Sequence, residues 1–116
     1  MGDLLTYLRN SREKEENNLN FEFLIKISYY ISSGCEYLES INLVHRDISA
    51  RNCLLNIVSF KNNEFVLEVK LGDFGLARNI YFNDFYRTGG DKALPIRWMA
   101  PESLQDGLFT SKSDVW

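Results

Sequence analysis

Leu24, Ile27, Ile31, Cys35 and Leu38 recur at i, i+3, i+7, i+11 and i+14, the spacing of one face of an α-helix. No other feature constrains the fold as much, because a helix this long must cover its apolar stripe with the rest of the chain. The spacing predicts a helix from about Phe21 to Glu39, with Asn20 as N-cap and Leu19 stapled onto Leu24. Upstream, Asp3 followed by Leu4, Leu5 and Leu8 reads as a short capped helix, with Tyr7 and Arg9 beside its stripe. It runs out into the charged stretch from Asn10 to Asn18, a solvated loop or one more helical turn.

Downstream the period changes from helical to extended. Leu43-Val44 and Cys53-Leu54-Leu55 read as short buried strands around a polar centre. Phe65, Leu67, Val69 and Leu71 alternate with Val66, Glu68 and Lys70, a strand with one buried face. Ser59 to Asn63 reads as the hairpin loop before it. From Asn79 to Leu94 no period holds, and Gly89-Gly90 lies inside that stretch. Long loops of this kind are usually functional. Pro101 opens a short helix, and Ser113-Asp114-Val115-Trp116 reads as a capping residue at the start of another. Helices and short hairpins in this mixture make an α+β chain.

The 116 residues suit one domain, and 45% hydrophobic residues supply a core. Thirteen basic against 16 acidic residues leave a net charge of −3, no footprint for nucleic acid or for an anionic membrane. The apolar runs are too short to span a bilayer, and the N-terminus lacks the pattern of a signal peptide. Cys35 and Cys53 each lie in an apolar pattern and read as buried, reduced thiols.

Three motifs carry the chemistry. His45-Arg46-Asp47 is followed five residues after the Asp by Asn52. Asp73-Phe74-Gly75 begins 26 residues after Asp47, and Ala100-Pro101-Glu102 begins 27 residues after Asp73. The ordered set resembles the catalytic loop, the Asp-Phe-Gly turn and the Ala-Pro-Glu segment of protein kinases. Ten fixed letters would coincide by chance on the order of once in 10¹³ placements, so the set is decisive where one triplet is weak.

The resemblance implies a protein-kinase-like fold, with residues 1–116 forming the front half of its C-lobe. It implies Asp47 as the acid-base group at the attacking hydroxyl, with Arg51 beside it in the catalytic loop. Asn52 and Asp73 become oxygen ligands for Mg²⁺, and ATP is the phosphoryl donor. Glycines at 72 and 75 would let the backbone turn so that the Asp73 carboxylate faces the cleft. Taken alone, each of these carboxylates would read as a solvated or capping group. His45 is implied to be structural, its ring under Phe74, and Arg46, Phe74, Gly75 and Glu102 are structural at the site. Leu54 resembles the apolar floor under the adenine and is equally an ordinary core leucine. Asp3 lies where the hinge approaches the ribose and is equally a helix N-cap.

Ser49 and Arg51, two and four residues after Asp47, resemble the receptor tyrosine kinase pattern His-Arg-Asp-x-Ala-Ala-Arg-Asn, with Ser49 in place of the usual Ala. Leu94-Pro95-Ile96-Arg97-Trp98-Met99 resembles the tyrosine-kinase substrate platform, with Leu94 and Pro95 receiving the phenolic side chain. Tyr81-Phe82-Asn83-Asp84-Phe85-Tyr86 resembles the Tyr-x-x-x-Tyr-Tyr activation loop of the insulin-receptor group, with Phe85 at the middle tyrosine. Tyr81 and Tyr86 are then the phosphorylation sites, with Arg78 or Arg87 as a partner for the phosphate. Ser33 to Glu39 and the long hairpin between Asn52 and Asp73 look most like the sevenless/ROS orphan receptors.

The glycine-rich loop and the strand Lys with its helix Glu are not among these 116 residues, and both ends read as cut. The expectation is a cytoplasmic segment of a single-pass plasma-membrane receptor, inactive by itself. Its partners are tyrosine-bearing protein substrates and, for the parent, phosphotyrosine-reading adaptors, with no nucleic acid and no membrane contact by this segment. The alternative is a non-catalytic kinase-like interaction module, which loss of the upstream Lys and Glu would indicate.

Overall fold

The computed structural model describes residues 2–13, 21–61, 64–80, 86–87 and 94–116. In chain order the elements are β1 (Gly2–Asp3), α1 (Leu4–Glu13), α2 (Phe21–Ser40), β2 (Leu43–Val44), β3 (Cys53–Lys61), β4 (Glu64–Leu71), β5 (Arg78–Asn79), β6 (Tyr86–Arg87), α3 (Pro101–Asp106), β7 (Leu108–Phe109) and α4 (Ser111–Val115). Single 3₁₀ turns occupy Ala50–Asn52, Phe74–Leu76 and Ile96–Trp98. The chain divides into two compact units, residues 1–34 with 49–72 and residues 35–48 with 73–116.

The first unit is an antiparallel sheet in the order β1-β3-β4 with α1 and the front of α2. Cys53 pairs with Leu71 and Leu55 with Val69, so alternate residues of both strands face the core. Leu4, Ile27, Cys53, Leu55 and Val69 are buried there, with Tyr7, Phe23, Tyr30 and Ile31 packed around them. A bulge between Ile57 and Ser59 interrupts the register.

Several expectations change on contact with this unit. Leu24 is 41% exposed and is not on the buried face of α2. The stripe runs through Phe23, Ile27 and Ile31, because the Phe23 ring turns inward onto Tyr7 of α1, 5.5 Å between centroids. Leu54 is not buried with its neighbours. Strand alternation turns it outward, 51% exposed. Ser59 to Lys61 belong to β3, so the loop of the hairpin is shorter than expected. α1 takes the extra turn, to Glu13. The cap at Asn20, the staple from Leu19, the tip at Asn62-Asn63 and the glycine pair Gly89-Gly90 lie outside the described residues, as do the side chains of Phe65 and Leu67.

The second unit has two short ladders, β2 with β5 and β6 with β7. Its core is Val44, Ile80, Met99 and Phe109, with Leu94 packed against them. Asn42, at φ 54°, ends α2 in the left-handed conformation that Asn tolerates, and its carbonyl accepts from Ile80 N–H at 2.8 Å. Pro101 is in the first turn of α3, and Gly107 closes it at φ 64°. The cap of α4 is Thr110 and not Ser113. The Thr110 hydroxyl accepts from Ser113 N–H at 3.2 Å, and the Ser113 hydroxyl accepts from Thr110 N–H at 2.9 Å, a capping box.

Candidate active site

Within the second unit the chain leaves β2 through His45, Arg46 and Asp47, and enters β5 from the turn that begins at Asp73. Both acidic candidates therefore hang from one ladder, in which Val44 pairs with Arg78. Val44 and His45 are fully buried, which anchors the loop at its root, and Asp47 is half-buried. The His45 ring lies against Phe74 with centroids 4.8 Å apart.

Arg46 is held through both its backbone and its side chain. Its backbone is left-handed, φ 71°, a conformation a side chain makes costly. Its N–H donates to Asp114 Oδ1 at 2.8 Å, and the N–H of His45 donates to Asp114 Oδ2 at 2.6 Å. Its guanidinium lies over the Phe109 ring, 4.3 Å from the centroid. Its Nη1 donates to Leu76 O at 3.3 Å.

Asp114 is the residue that reading the sequence missed. It reads as part of a starting helix, and it does lie in α4, but its two acceptor bonds reach back across most of the chain. Burial pushes the Asp114 carboxyl up from its ordinary value, against the pull of the Arg46 and His45 N–H groups. Burial, then the charge of Asp114, pushes the Cys35 thiol up as well. That disfavours the thiolate and fits an unreactive cysteine. Cys35 and Cys53 are both free thiols.

The Asp73 turn works differently from the expectation. Neither Gly72 nor Gly75 has a positive φ; Asp73 itself does, at 57°. The glycines answer to close approach instead. A Cβ at Gly75 would stand 3.2 Å from Asp73 Oδ1, and one at Gly72 would meet Leu54 Cδ1 at 3.0 Å. Asp73 is exposed, and its Oδ1 accepts from Gly75 N–H at 3.3 Å, capping the turn.

Four candidates belong to the first unit. Asn52 is 6% exposed, and its backbone closes the entry to the strands: its N–H donates to Ser49 O at 2.9 Å and its carbonyl accepts from Gly72 N–H at 2.8 Å. Arg51 is half-buried in the same 3₁₀ turn. Asp3 and Leu54 are direct partners in the β1–β3 ladder. Asp3 caps α1, its Oδ1 accepting from Thr6 N–H and its Oδ2 from the Thr6 hydroxyl, both at 2.8 Å. The Thr6 N–H first and its hydroxyl second hold the Asp3 carboxyl below its ordinary value.

The remaining candidates lie in the second unit. Leu94 and Pro95 are half-buried ahead of the 3₁₀ turn, with Ile96 N–H donating to Leu94 O at 2.9 Å. Glu102 is in the first turn of α3, and its carbonyl accepts from the Gly107 N–H. Tyr86 is in β6, its backbone opposite Phe109. Tyr81 and Phe85 lie outside the described residues.

Comparison with known proteins gives one family. The family model described as protein tyrosine and serine/threonine kinase matches residues 1–116. The chain is 51% identical over 117 residues to the human proto-oncogene tyrosine-protein kinase ROS, which covers 99% of this chain and 5% of that protein. It is 47% identical over 121 residues to Protein sevenless of Drosophila melanogaster, again 99% of this chain and 5% of the relative. It is 44% identical over 125 residues to the insulin-like receptor of Caenorhabditis elegans, 100% of this chain and 6% of the relative. The chain thus spans about 5% of the length of the ROS and sevenless relatives. Among the described residues no helix is long and apolar enough to cross a membrane.

Proposed function

Because the chain belongs to the protein tyrosine and serine/threonine kinase family, we propose that it is the front half of a kinase C-lobe from a receptor tyrosine kinase, and that the parent transfers the γ-phosphate of ATP to tyrosine hydroxyls of proteins. One observation carries this reading: Asp47 and Asp73 issue from the two strands of the β2–β5 ladder, in a chain half-identical to named tyrosine-protein kinases.

Each residue then has a task. Asp47 accepts the hydrogen bond of the attacking hydroxyl and orients it, and Arg51 is the arginine of the same sequence motif. Asp73 would offer a carboxylate oxygen to Mg²⁺, and Asn52 is the amide ligand that the kinase motif implies. The fit is a physical one: Asp73 presents an exposed carboxylate on a turn, with a long 3.3 Å bond on Oδ1. Among the described residues no group of three or more His, Cys, Asp or Glu gathers as an all-protein metal cage. Mg²⁺ with phosphates needs none, since one or two protein oxygens suffice. When bound, the metal supplies charge neutralisation at the phosphates. Leu54, exposed on the sheet beside Asp3, forms the apolar floor for the adenine, and Asp3 adds a ribose contact to its capping role. Leu94 and Pro95 receive the phenolic side chain, and His45, Arg46, Phe74, Gly75 and Glu102 hold the frame. Tyr81 and Tyr86 are phosphorylated, which recruits phosphotyrosine-reading adaptors to the parent, a single-pass receptor with this segment on its cytoplasmic side.

The test uses the complete kinase domain carrying this segment. Asp47→Asn should abolish transfer to a tyrosine polymer and leave ATP binding nearly unchanged. Asp73→Asn should weaken Mg²⁺-dependent ATP binding as well. A wild-type domain that binds no ATP and transfers no phosphate would make the segment an interaction module instead.

A further inference from the structure

β7 has two faces of contact, and they lead to different parts of the second unit. Along its backbone, Phe109 pairs with Tyr86 and Leu108 with Arg87. Across its side chain, Phe109 carries the Arg46 guanidinium at 4.3 Å. Both partners of that stack are sealed from solvent, Phe109 at 2% and Arg46 at 5% exposure. A cation on a ring face strengthens when water is excluded. The residue adjoining Arg46 is Asp47, and the Arg46 and His45 N–H groups both end on Asp114. A shift of Phe109 therefore moves Arg46 and strains the left-handed backbone next to the base.

We infer that Phe109 is a positioning residue, through which the β6–β7 ladder sets the catalytic loop by way of the Arg46 stack. The inference rests on the kinase reading for its effect on turnover, and on geometry alone for its effect on the loop. It makes the two-residue strand at Tyr86-Arg87 a control point for Asp47.

A double-mutant cycle in the complete kinase domain reads this coupling. Arg87→Pro removes a strand N–H and breaks the ladder, and Arg87→Gln is its reference for lost charge. Relative to Arg87→Gln, Arg87→Pro should lower kcat about tenfold when Phe109 is present and less than about threefold in Phe109→Leu. Phe109→Leu by itself should lower kcat about tenfold with KM for ATP changed less than about twofold, and Phe109→Tyr, which keeps the ring, should restore it. Amide exchange at His45 and Arg46 should quicken on Arg87→Pro with Phe109 and not with Phe109→Leu. Circular dichroism checks the fold of each variant. If Phe109→Leu does not fold, Arg46→Met, which keeps the stem and loses the cation, replaces it in the same cycle. Equal effects of Arg87→Pro in both backgrounds, in exchange and in kcat, overturn the inference. A domain that transfers no phosphate overturns the kinase reading, and the exchange measurement still decides the coupling.

Discussion

Ser49 stands to gain from substitution. It is 5% exposed, and its hydroxyl is buried without a hydrogen-bond partner among the described residues. Such a hydroxyl costs about 1–3 kcal/mol of lost hydration. Ser49→Ala should raise the stability of the domain by about 1 kcal/mol, seen as a higher midpoint in urea. An unchanged or lower midpoint would mean the hydroxyl has found a partner. Asp114 makes the opposite case. Asp114→Asn leaves one oxygen for two N–H donors, and the unmet donor should cost about 1–3 kcal/mol. The two shifted carboxylates also oppose each other in pH. Burial raises the Asp114 carboxyl in the fold, so its contribution is fully present below the unfolded value of about 4 and fades as pH rises through the folded value. Thr6 lowers Asp3, so its contribution is present above about 4 and fades as pH falls through the folded value. In urea titrations, the margin of wild type over Asp114→Asn should therefore narrow with rising pH above about 4, and that over Asp3→Asn with falling pH below it.

At the scale of elements, the helices were the most legible part of the sequence. α2 was expected from Phe21 to Glu39 and runs from Phe21 to Ser40, since a 3.6 period over five turns has no extended alternative. Its exact face was less legible: Phe23 and Leu24 are both apolar, and only the Tyr7 ring on α1 decides between them. β1 was invisible, because two residues carry no period and owe their strand to pairing with Leu54 and Leu55. The candidate site was legible as an ordered set of letters, but its supports were not. Asp114 reads as one more acid in a helix, and Phe109 as one more aromatic, until the fold brings them to Arg46. Likewise the glycines beside Asp73 suggest that they make the turn, when the unusual backbone belongs to Asp73. Gly107 is a position where glycine is needed for its conformation, with φ 64° closing α3. Gly107→Ala should cost about 1 kcal/mol and Gly107→Asn less, by thermal melting.

For the whole molecule, two units each build a core of their own around different polar business. The first holds Asp3, Asn52 and Leu54, and the second Asp47 and Asp73. The polypeptide of residues 1–116 alone should transfer no measurable phosphate from ATP to a tyrosine polymer. Its sequence contains neither the glycine-rich phosphate loop nor the ATP-anchoring lysine that the kinase resemblance calls for, and positioning supplies most of phosphoryl-transfer catalysis. Radiolabel transfer by the purified polypeptide would refute this. Asp73 also bears on how such a chain would drift under selection. A residue with a Cβ held at positive φ carries about 1–2 kcal/mol that glycine would not. A library of this domain screened for heat resistance alone should therefore enrich Gly at position 73, and the survivors should be hardier and silent. Screened for phosphate transfer instead, the same library should hold Asp there and collect its stabilising changes elsewhere, so that the strained carboxylate marks where durability and activity part.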